Sequence, residues 1–283
     1  MTKELIKMSI QKVIWANFWK NYQLPVEEMG LVVENFREHT PKVSTNICLP
    51  PFVGDPCFKD YSILISLIKQ LNPSTILELG TAHGNTVANI CSESEAQVIT
   101  VNALPEQIDG SIITFTLSKE EIGKVYRDNG YENRVTQIYE NTKNLNILEY
   151  IPPKCVDLAF IDACHDAEFV VNDFFKILPA LSDKAIVLFH DTNPSVKGHL
   201  LDSYLGCMYL RLKNFNVRQI PESSLAYWSA RQSITNSRLI SKGMHKIFYS
   251  FVTLFYGGDE KFIRALRWYA SVFMRGKQNK KDI

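Results

Sequence analysis

The sequence feature that most limits the fold of this chain is a repeated alternation of short apolar runs with helix-like segments. The runs ILEL (76–79), VDLAFI (156–161) and AIVLF (185–189) are almost entirely apolar, as is typical of strands that are covered on both faces. Segments of about a dozen residues with helical spacing, among them 118–130 and 167–181, separate such runs, and the fifth strand is predicted over 184–191. This spacing favours parallel βαβ units. The alternation therefore predicts an α/β protein.

The two ends of the chain depart from this alternation. Residues 1–56 predict a helical and extended lead-in, and residues 231–283 predict a helical extension with a basic end. Within 57–230, the last two apolar runs (215–220 and 224–229) are joined by a short turn and predict an antiparallel hairpin. We therefore expect a Rossmann-like, doubly wound, mostly parallel seven-stranded sheet with an antiparallel edge strand, flanked by N- and C-terminal helical extensions.

Charge is distributed unevenly between these parts. The formal net charge of +1 gives no general reason to expect nucleic acid binding. Residues 231–283, however, carry 11 Lys and Arg against 3 Asp and Glu, so the preceding part is acidic. The basic amphipathic pattern within 245–283 predicts either a peripheral contact with an anionic membrane surface or a contact in a homo-oligomer.

Targeting and redox signals are weak in this sequence. No apolar run approaches the roughly 20 residues that a membrane-spanning helix needs, and the N-terminal residues lack a signal-peptide pattern. The six cysteines are scattered without a CxxC pair, so neither a disulfide framework nor a structural zinc site is expected. We expect a cytoplasmic protein, peripheral to the inner membrane face if the basic end binds lipid.

The loop after the first predicted strand has a composition suited to ligand binding. It reads E-L-G-T-A-H-G from Glu78 to Gly84, where a strand leads into a helix. Ligands of open α/β sheets bind at this edge, and glycine lets the backbone approach them closely. The dinucleotide fingerprint GxGxxG and the phosphate-binding GxxxxGK[ST] are both absent. About 20 residues further on, where dinucleotide-binding folds carry a ribose-binding acid, stands Asn102.

This acid–Gly–three residues–Gly pattern resembles the first motif of class I S-adenosylmethionine-dependent methyltransferases. The resemblance implies S-adenosylmethionine as cofactor, with the adenine near the loop that contains Asn141, where such families often carry an acid. The implied cofactor-binding residues are Glu78, Gly80, Thr81, His83, Gly84, Asn102, Asn141 and Asp162. Asn102 and Asn141 both stand where an acid is expected, and an amide offers a hydrogen bond but no charge.

A second polar group follows the fourth and fifth predicted strands. Asp162 and His165 lie in F-I-D-A-C-H, and His190 and Asp191 end V-L-F-H-D. Because parallel strands end at one rim, Asp162 and Asp191 are expected side by side, an arrangement that suits a hard divalent cation such as Mg²⁺. His165 is then placed to accept a proton from a hydroxyl nucleophile. Alternatively, the two aspartates only cap helices, and His190 is a hydrogen-bonded core residue.

Together the two motifs resemble the metal-dependent O-methyltransferases that modify polysaccharides and macrolide sugars. The resemblance covers roughly residues 57–230 and implies methylation of a sugar or glycan hydroxyl. Asp162 and Asp191 are then the metal ligands and His165 is the base, while the third ligand is open between Thr192, Asn193, His190 and water. Two other functions stay open: methylation of a small phenolic or antibiotic metabolite, and a non-catalytic cofactor-binding or scaffold role.

Overall fold

The structure, a computed structural model, describes residues 39–43, 56–108, 116–192, 201–213, 215–220 and 223–231. The expected lead-in up to residue 38, most of the C-terminal extension and the candidate membrane segment 245–283 lie outside these residues. The domain boundaries at 56 and 230 therefore stay predictions. None of the helices in the described ranges is both long enough and apolar enough to span a membrane.

Strands and helices alternate along the described chain. The strands are β1 (Thr75–Leu79), β2 (Gln97–Asn102), β3 (Val135–Tyr139), β4 (Val156–Ile161), β5 (Leu181–Phe189), β6 (Arg218–Gln219) and β7 (Ala226–Ser229). The α-helices are α1 (Pro56–Leu71), α2 (Asn85–Glu93), α3 (Lys124–Asp128), α4 (Ala167–Ile177) and α5 (Leu201–Leu212).

The seven strands form one sheet in the order β3-β2-β1-β4-β5-β7-β6. Strands β1 to β5 are mutually parallel, and β7 is antiparallel to both β5 and β6. The predicted mostly parallel seven-stranded sheet with an antiparallel hairpin at its edge is thus confirmed. The winding direction reverses between β1 and β4, which lie side by side with Leu79 opposite Ile161. This reversal is where ligands of doubly wound sheets bind.

Both faces of the sheet are covered by helices. Leu77 and Ala159 belong to a buried cluster with α4 and α5, whereas Ile76 and Leu158 belong to a second cluster with α1, α2 and α3. Successive strand residues face opposite sides, so a strand with a helix layer on each side needs apolar residues at nearly every position. Glu78 is the exception within β1, which marks it as a residue with another role.

Two predicted boundaries were wrong around the β4–β5 connection. The helix predicted over 167–181 ends at Ile177, because Pro179 has no N–H to continue the helical hydrogen bonds. The strand predicted from residue 184 begins earlier, at Leu181, which pairs with Val156. Polar residues after Leu181 concealed the start of this strand in the sequence.

The helix pattern read over residues 118–130 is also only partly confirmed. Residues 119–123 form turns, and the helix is confined to Lys124–Asp128. Gly123 precedes it with φ +72°, a left-handed conformation that interrupts a continuous helix. This break matters for the glycine loop, because the turn that replaces the first part of the helix packs against that loop.

Candidate active site

Gly80 lets the loop after β1 pass directly against the end of β4. Its φ is +107°, and a Cβ added there would lie 2.1 Å from the carbonyl oxygen of Asp162. The Gly80 N–H donates to the Val101 carbonyl oxygen at 2.9 Å. No side chain can occupy this position without displacing backbone, so a glycine is required here by the approach of β1 to β4.

The turn before α3 supports the same loop from the outside. The Gly123 N–H donates to the Ala82 carbonyl and the Val125 N–H to the His83 carbonyl, both at 2.9 Å. A Cβ on Gly84, at φ +83°, would come within 2.9 Å of the Gly123 Cα. We call residues 118–128 the brace segment, because its backbone holds the outward carbonyls of the glycine loop. The helical pattern of these residues in the sequence did not indicate this contact with the glycine loop.

Asn102 lies next to the glycine loop, and its side chain is hydrogen-bonded to that loop. Its Oδ1 accepts the Ala82 N–H at 3.0 Å, and its Nδ2 donates to the Ala103 carbonyl at 2.9 Å. Ala82 has φ +44°, which is unfavourable for a residue with a side chain. Asn102 therefore stabilises a strained loop residue; a bond to a ribose hydroxyl stays a prediction.

Asn141 organises the loop after β3 in a similar way. It is buried, its Nδ2 donates to the Gln107 carbonyl at 2.9 Å, and its Oδ1 accepts the Lys143 N–H at 3.0 Å. These bonds join the loops that follow β2 and β3. An adenine contact by Asn141 stays a prediction.

Glu78 lies beneath the glycine loop rather than at its surface. It is 1% exposed, and its Oε2 accepts the Thr100 hydroxyl at 2.7 Å. The Thr100 hydroxyl also lies 2.6 Å from that of Thr81, to which Gln137 donates at 3.0 Å. Burial raises the pKa of Glu78 to about 8, although the Thr100 hydrogen bond lowers it, and the charge of Asp162 raises it further. Glu78 and Thr81 thus support the loop from below, and their contact with a cofactor stays a prediction.

The structure brings Asp162, His165 and Asp191 together at the rim. His165 Nε2 lies 3.3 Å from Asp162 Oδ1 and 3.5 Å from Asp191 Oδ2. Strand pairing determines where both carboxylates lie. The Asp162 N–H donates to the Leu79 carbonyl oxygen, and the N–H of His190, the residue before Asp191, donates to the Ile161 carbonyl oxygen. One ligand atom from each of the three side chains lies within 4.8 Å of the others.

His190 lies in a polar cluster at this rim, where its ring is hydrogen-bonded. Its Nδ1 is 3.1 Å from Asp162 Oδ1 and 3.3 Å from Asp191 Oδ1. Its Nε2 faces Asp60 Oδ2, at 3.5 Å. Sequence reasoning missed Asp60; the available signal was that it is the single acidic residue within helix α1. Its meeting with His190 depends on tertiary packing.

Opposite charges lie close together in this cluster and shift one another's pKa values. Burial disfavours an ionised Asp162, yet the charge of His190 and hydrogen bonds from both imidazoles hold its pKa well below the usual range. Burial likewise disfavours a charged His190, but the charge of Asp162 raises its pKa well above the ordinary value. The pKa of His165 is raised in the same way, burial being outweighed by its bond to Asp162. The carboxylates therefore favour the presence of positively charged groups at this rim.

A divalent cation fits the chemistry of this donor set. Two carboxylates on adjacent strands suit Mg²⁺, which is commonly held by one or two carboxylates and completes its shell with water. The imidazole nitrogen of His165 would also suit Mn²⁺ or another transition metal. Thr192, another candidate ligand from the sequence, is fully buried and donates its hydroxyl to Gln219 and Ser224. Asn193 lies outside the described residues.

Comparison with known proteins bears on the part of the chain that carries this rim. Residues 77–192 match the family model of a methyltransferase domain. The match runs from β1 to just beyond β5, and it includes the glycine loop, Asn102 and Asn141. It also includes the Asp–His rim, by which we mean Asp162, His165, His190 and Asp191. It supports an enzyme that transfers methyl groups. No curated protein matches the chain.

Solved methyltransferases of distant sequence also align with the chain. A Podospora anserina methyltransferase bound to S-adenosylhomocysteine is 17% identical, with a TM-score of 0.46, over 80% of this chain and 96% of its own. A Bacillus cereus O-methyltransferase in complex with S-adenosylhomocysteine is 14% identical, with a TM-score of 0.43, over 66% and 83%. A TDP-rhamnose 3′-O-methyltransferase of calicheamicin biosynthesis is 17% identical, with a TM-score of 0.45, over 71% and 100%. Similarity at this level identifies neither the substrate nor the cofactor of this chain.

Proposed function

We propose that this protein is an S-adenosylmethionine-dependent O-methyltransferase, assisted by a divalent cation, that methylates a sugar or glycan hydroxyl. The observation that carries the proposal is the contact of the glycine loop with the Asp–His rim inside the methyltransferase domain. Gly80 abuts the backbone of Asp162, so a ligand on the loop and a ligand on the rim would be neighbours. Methyl transfer requires such neighbouring sites for donor and acceptor.

The part of the site that would bind the cofactor consists of backbone groups and side-chain amides. S-adenosylmethionine, when bound, supplies an electrophilic methyl group. The loop from Gly80 to Gly84 presents its backbone at the N-terminus of α2, where a close approach is possible. Asn102 and Asn141 stand where ribose and adenine are expected, and their bonds to neighbouring backbone keep these loops in place.

The acceptor side holds the acid–base groups. A divalent cation there, held by Asp162 and Asp191, would lower the pKa of the acceptor hydroxyl. His165 accepts the hydroxyl proton at Nε2, the nitrogen that faces both carboxylates. The sugar hydroxyl is proposed from the paired D-x-x-H and H-D motifs.

A second role for His165 is favoured by the same geometry. Its Nε2 is one of the three ligand atoms that lie within 4.8 Å of one another, so it could bind the cation instead of the proton. One nitrogen cannot do both at once. Loss of turnover with cation affinity retained in His165→Ala would indicate the base, whereas loss of both would indicate the ligand.

Cofactor binding is the first test. Isothermal titration calorimetry of the full-length protein is expected to show binding of S-adenosylmethionine and S-adenosylhomocysteine but not of NAD, since the dinucleotide fingerprint is absent. Binding of neither adenosyl ligand would contradict the proposal and favour a non-catalytic scaffold.

Acceptor and cation are tested together by mass spectrometry of methylated products. Sugar nucleotides and glycan fragments are expected to be methylated, and a catechol is the comparison for a phenolic acceptor. Activity is expected to fall after treatment with EDTA and to return with Mg²⁺ or Mn²⁺. Full activity in EDTA would remove the cation from the proposal, and exclusive methylation of the catechol would replace the sugar.

A further inference from the structure

Asp60 reaches the rim from outside the matched domain. It lies in α1, is 5% exposed, and is held by the turn before β7. Its Oδ1 accepts the Ser224 N–H at 2.9 Å, and its Oδ2 accepts the Ser224 hydroxyl. Both oxygens are therefore fixed by a segment that is remote in sequence, so the carboxylate has little freedom to turn away.

The fixed carboxylate faces one nitrogen of His190, and the rim faces the other. Asp60 Oδ2 lies 3.5 Å from Nε2, at the outer limit of a hydrogen bond. On the opposite edge of the ring, Nδ1 lies 3.1 Å from Asp162 and 3.3 Å from Asp191. Because the imidazole is planar, fixing the direction of Nε2 also fixes the direction of Nδ1.

We propose that Asp60 is a positioning residue for the rim carboxylates and acts through His190. It holds the ring so that Nδ1 stays between Asp162 and Asp191, which keeps these two mutually repelling groups at the spacing a cation needs. Carboxylate partners of histidines commonly act in this way next to metal sites. The inference rests on the cation site of the proposed function.

A purely structural role for Asp60 is the competing explanation, and Asp157 provides a matched control for it. Asp157 is also a buried acid that accepts a backbone N–H and a serine hydroxyl, from Ser74 at 3.1 Å and Ser182 at 3.0 Å. It lies near the beginning of β4, at the opposite end of this strand from Asp162. Its loss removes comparable hydrogen bonds without touching the rim.

The experiment measures Mn²⁺ affinity by electron paramagnetic resonance, following the signal of free Mn²⁺ during titration of the full-length protein. Asp60→Ala is expected to weaken binding by about 10–100-fold, the usual effect of losing such a partner. Asp60→Asn keeps an oxygen acceptor and is expected to lose less. Asp157→Ala is expected to keep the wild-type affinity, although its thermal midpoint falls.

Three results would overturn the inference. The first is wild-type affinity in Asp60→Ala or, if that variant does not fold, wild-type affinity in Asp60→Asn. The second is an equal loss of affinity in Asp157→Ala. The third is absence of Mn²⁺ binding to the wild-type protein; calorimetric binding of S-adenosylmethionine in the same sample would then leave the proposed methyl transfer standing.

Discussion

His165 is the residue on which the proposed chemistry depends most directly. Its Nε2 lies within 3.5 Å of a carboxylate oxygen on each of two strands, at the rim where an acceptor would bind. In His165→Ala we expect turnover to fall by about 10²–10⁴-fold, the usual contribution of a general base. Calorimetric affinity for S-adenosylmethionine is expected to be unchanged. His39→Ala, which changes a histidine outside the matched residues 77–192, is the control; undiminished turnover in His165→Ala would remove this residue from the mechanism.

Asp173 gives a second prediction at the scale of a single residue. It is fully buried in α4, and burial raises its pKa to about 7, although hydrogen bonds with Thr142 and Asn172 lower it. The folded protein keeps this proton at pH values where the unfolded chain has lost it, so unfolding releases a proton. Stability from this group is therefore present below the unfolded pKa of 3.8 and is lost as pH rises towards 7.

The measurement is the free energy of unfolding in urea at several pH values between 4 and 7.5. Asp173→Asn cannot titrate, so the difference in stability between it and the wild-type protein should change by up to about 1.4 kcal/mol per pH unit, with the wild-type protein losing ground as pH rises. A difference that stays constant over this range would show that Asp173 is ionised in the folded protein.

At the scale of elements, the brace segment links a remote turn to the cofactor loop. Gly123 has φ +72°, and a Cβ there would lie 2.3 Å from the ring of Tyr126. Gly123→Ala should therefore displace the backbone that holds Ala82 and His83, and weaken S-adenosylmethionine binding at least tenfold, or about 1.4 kcal/mol. Gly130→Ala is the control, since Gly130 has φ +75° but open space around its Cβ. Equal affinities in the two variants would contradict a role for the brace.

The elements also show what could be predicted from sequence and what could not. Parallel strands were predictable because burial on both faces leaves apolar runs such as 156–161 and 185–189. The meeting of Asp162 with Asp191 followed from parallel strand ends. The brace segment and Asp60 were not predictable, because turns have no periodicity and the approach of α1 to β5 depends on packing between distant segments. The sequence shows amides at positions 102 and 141, where acids are expected. It does not show that these amides bond to backbone.

At the scale of the whole molecule, the uneven distribution of charge supports a test of membrane contact. The basic residues of the C-terminal part include Lys277, Lys280 and Lys281. The full-length protein is expected to co-sediment with vesicles that contain anionic phosphatidylserine, and substitution of these three lysines by Glu should reduce binding by about 100-fold or more, since each basic residue near such a surface contributes about 1 kcal/mol. Neutral phosphatidylcholine vesicles are the control. Equal sedimentation of both proteins would favour a subunit contact instead.

The hydrogen bonds between Asp60 and Ser224 also affect how the protein is made. The two residues are 164 positions apart. At the usual rate of translation, roughly 5–20 residues per second, Asp60 is synthesised some 8–33 s before its partner. Until then its carboxylate lacks the donors that hold it in the folded protein, and α1 cannot complete its packing against β7. The order of synthesis thus makes this rim one of the last parts of the domain to form, although Asp60 leaves the ribosome early.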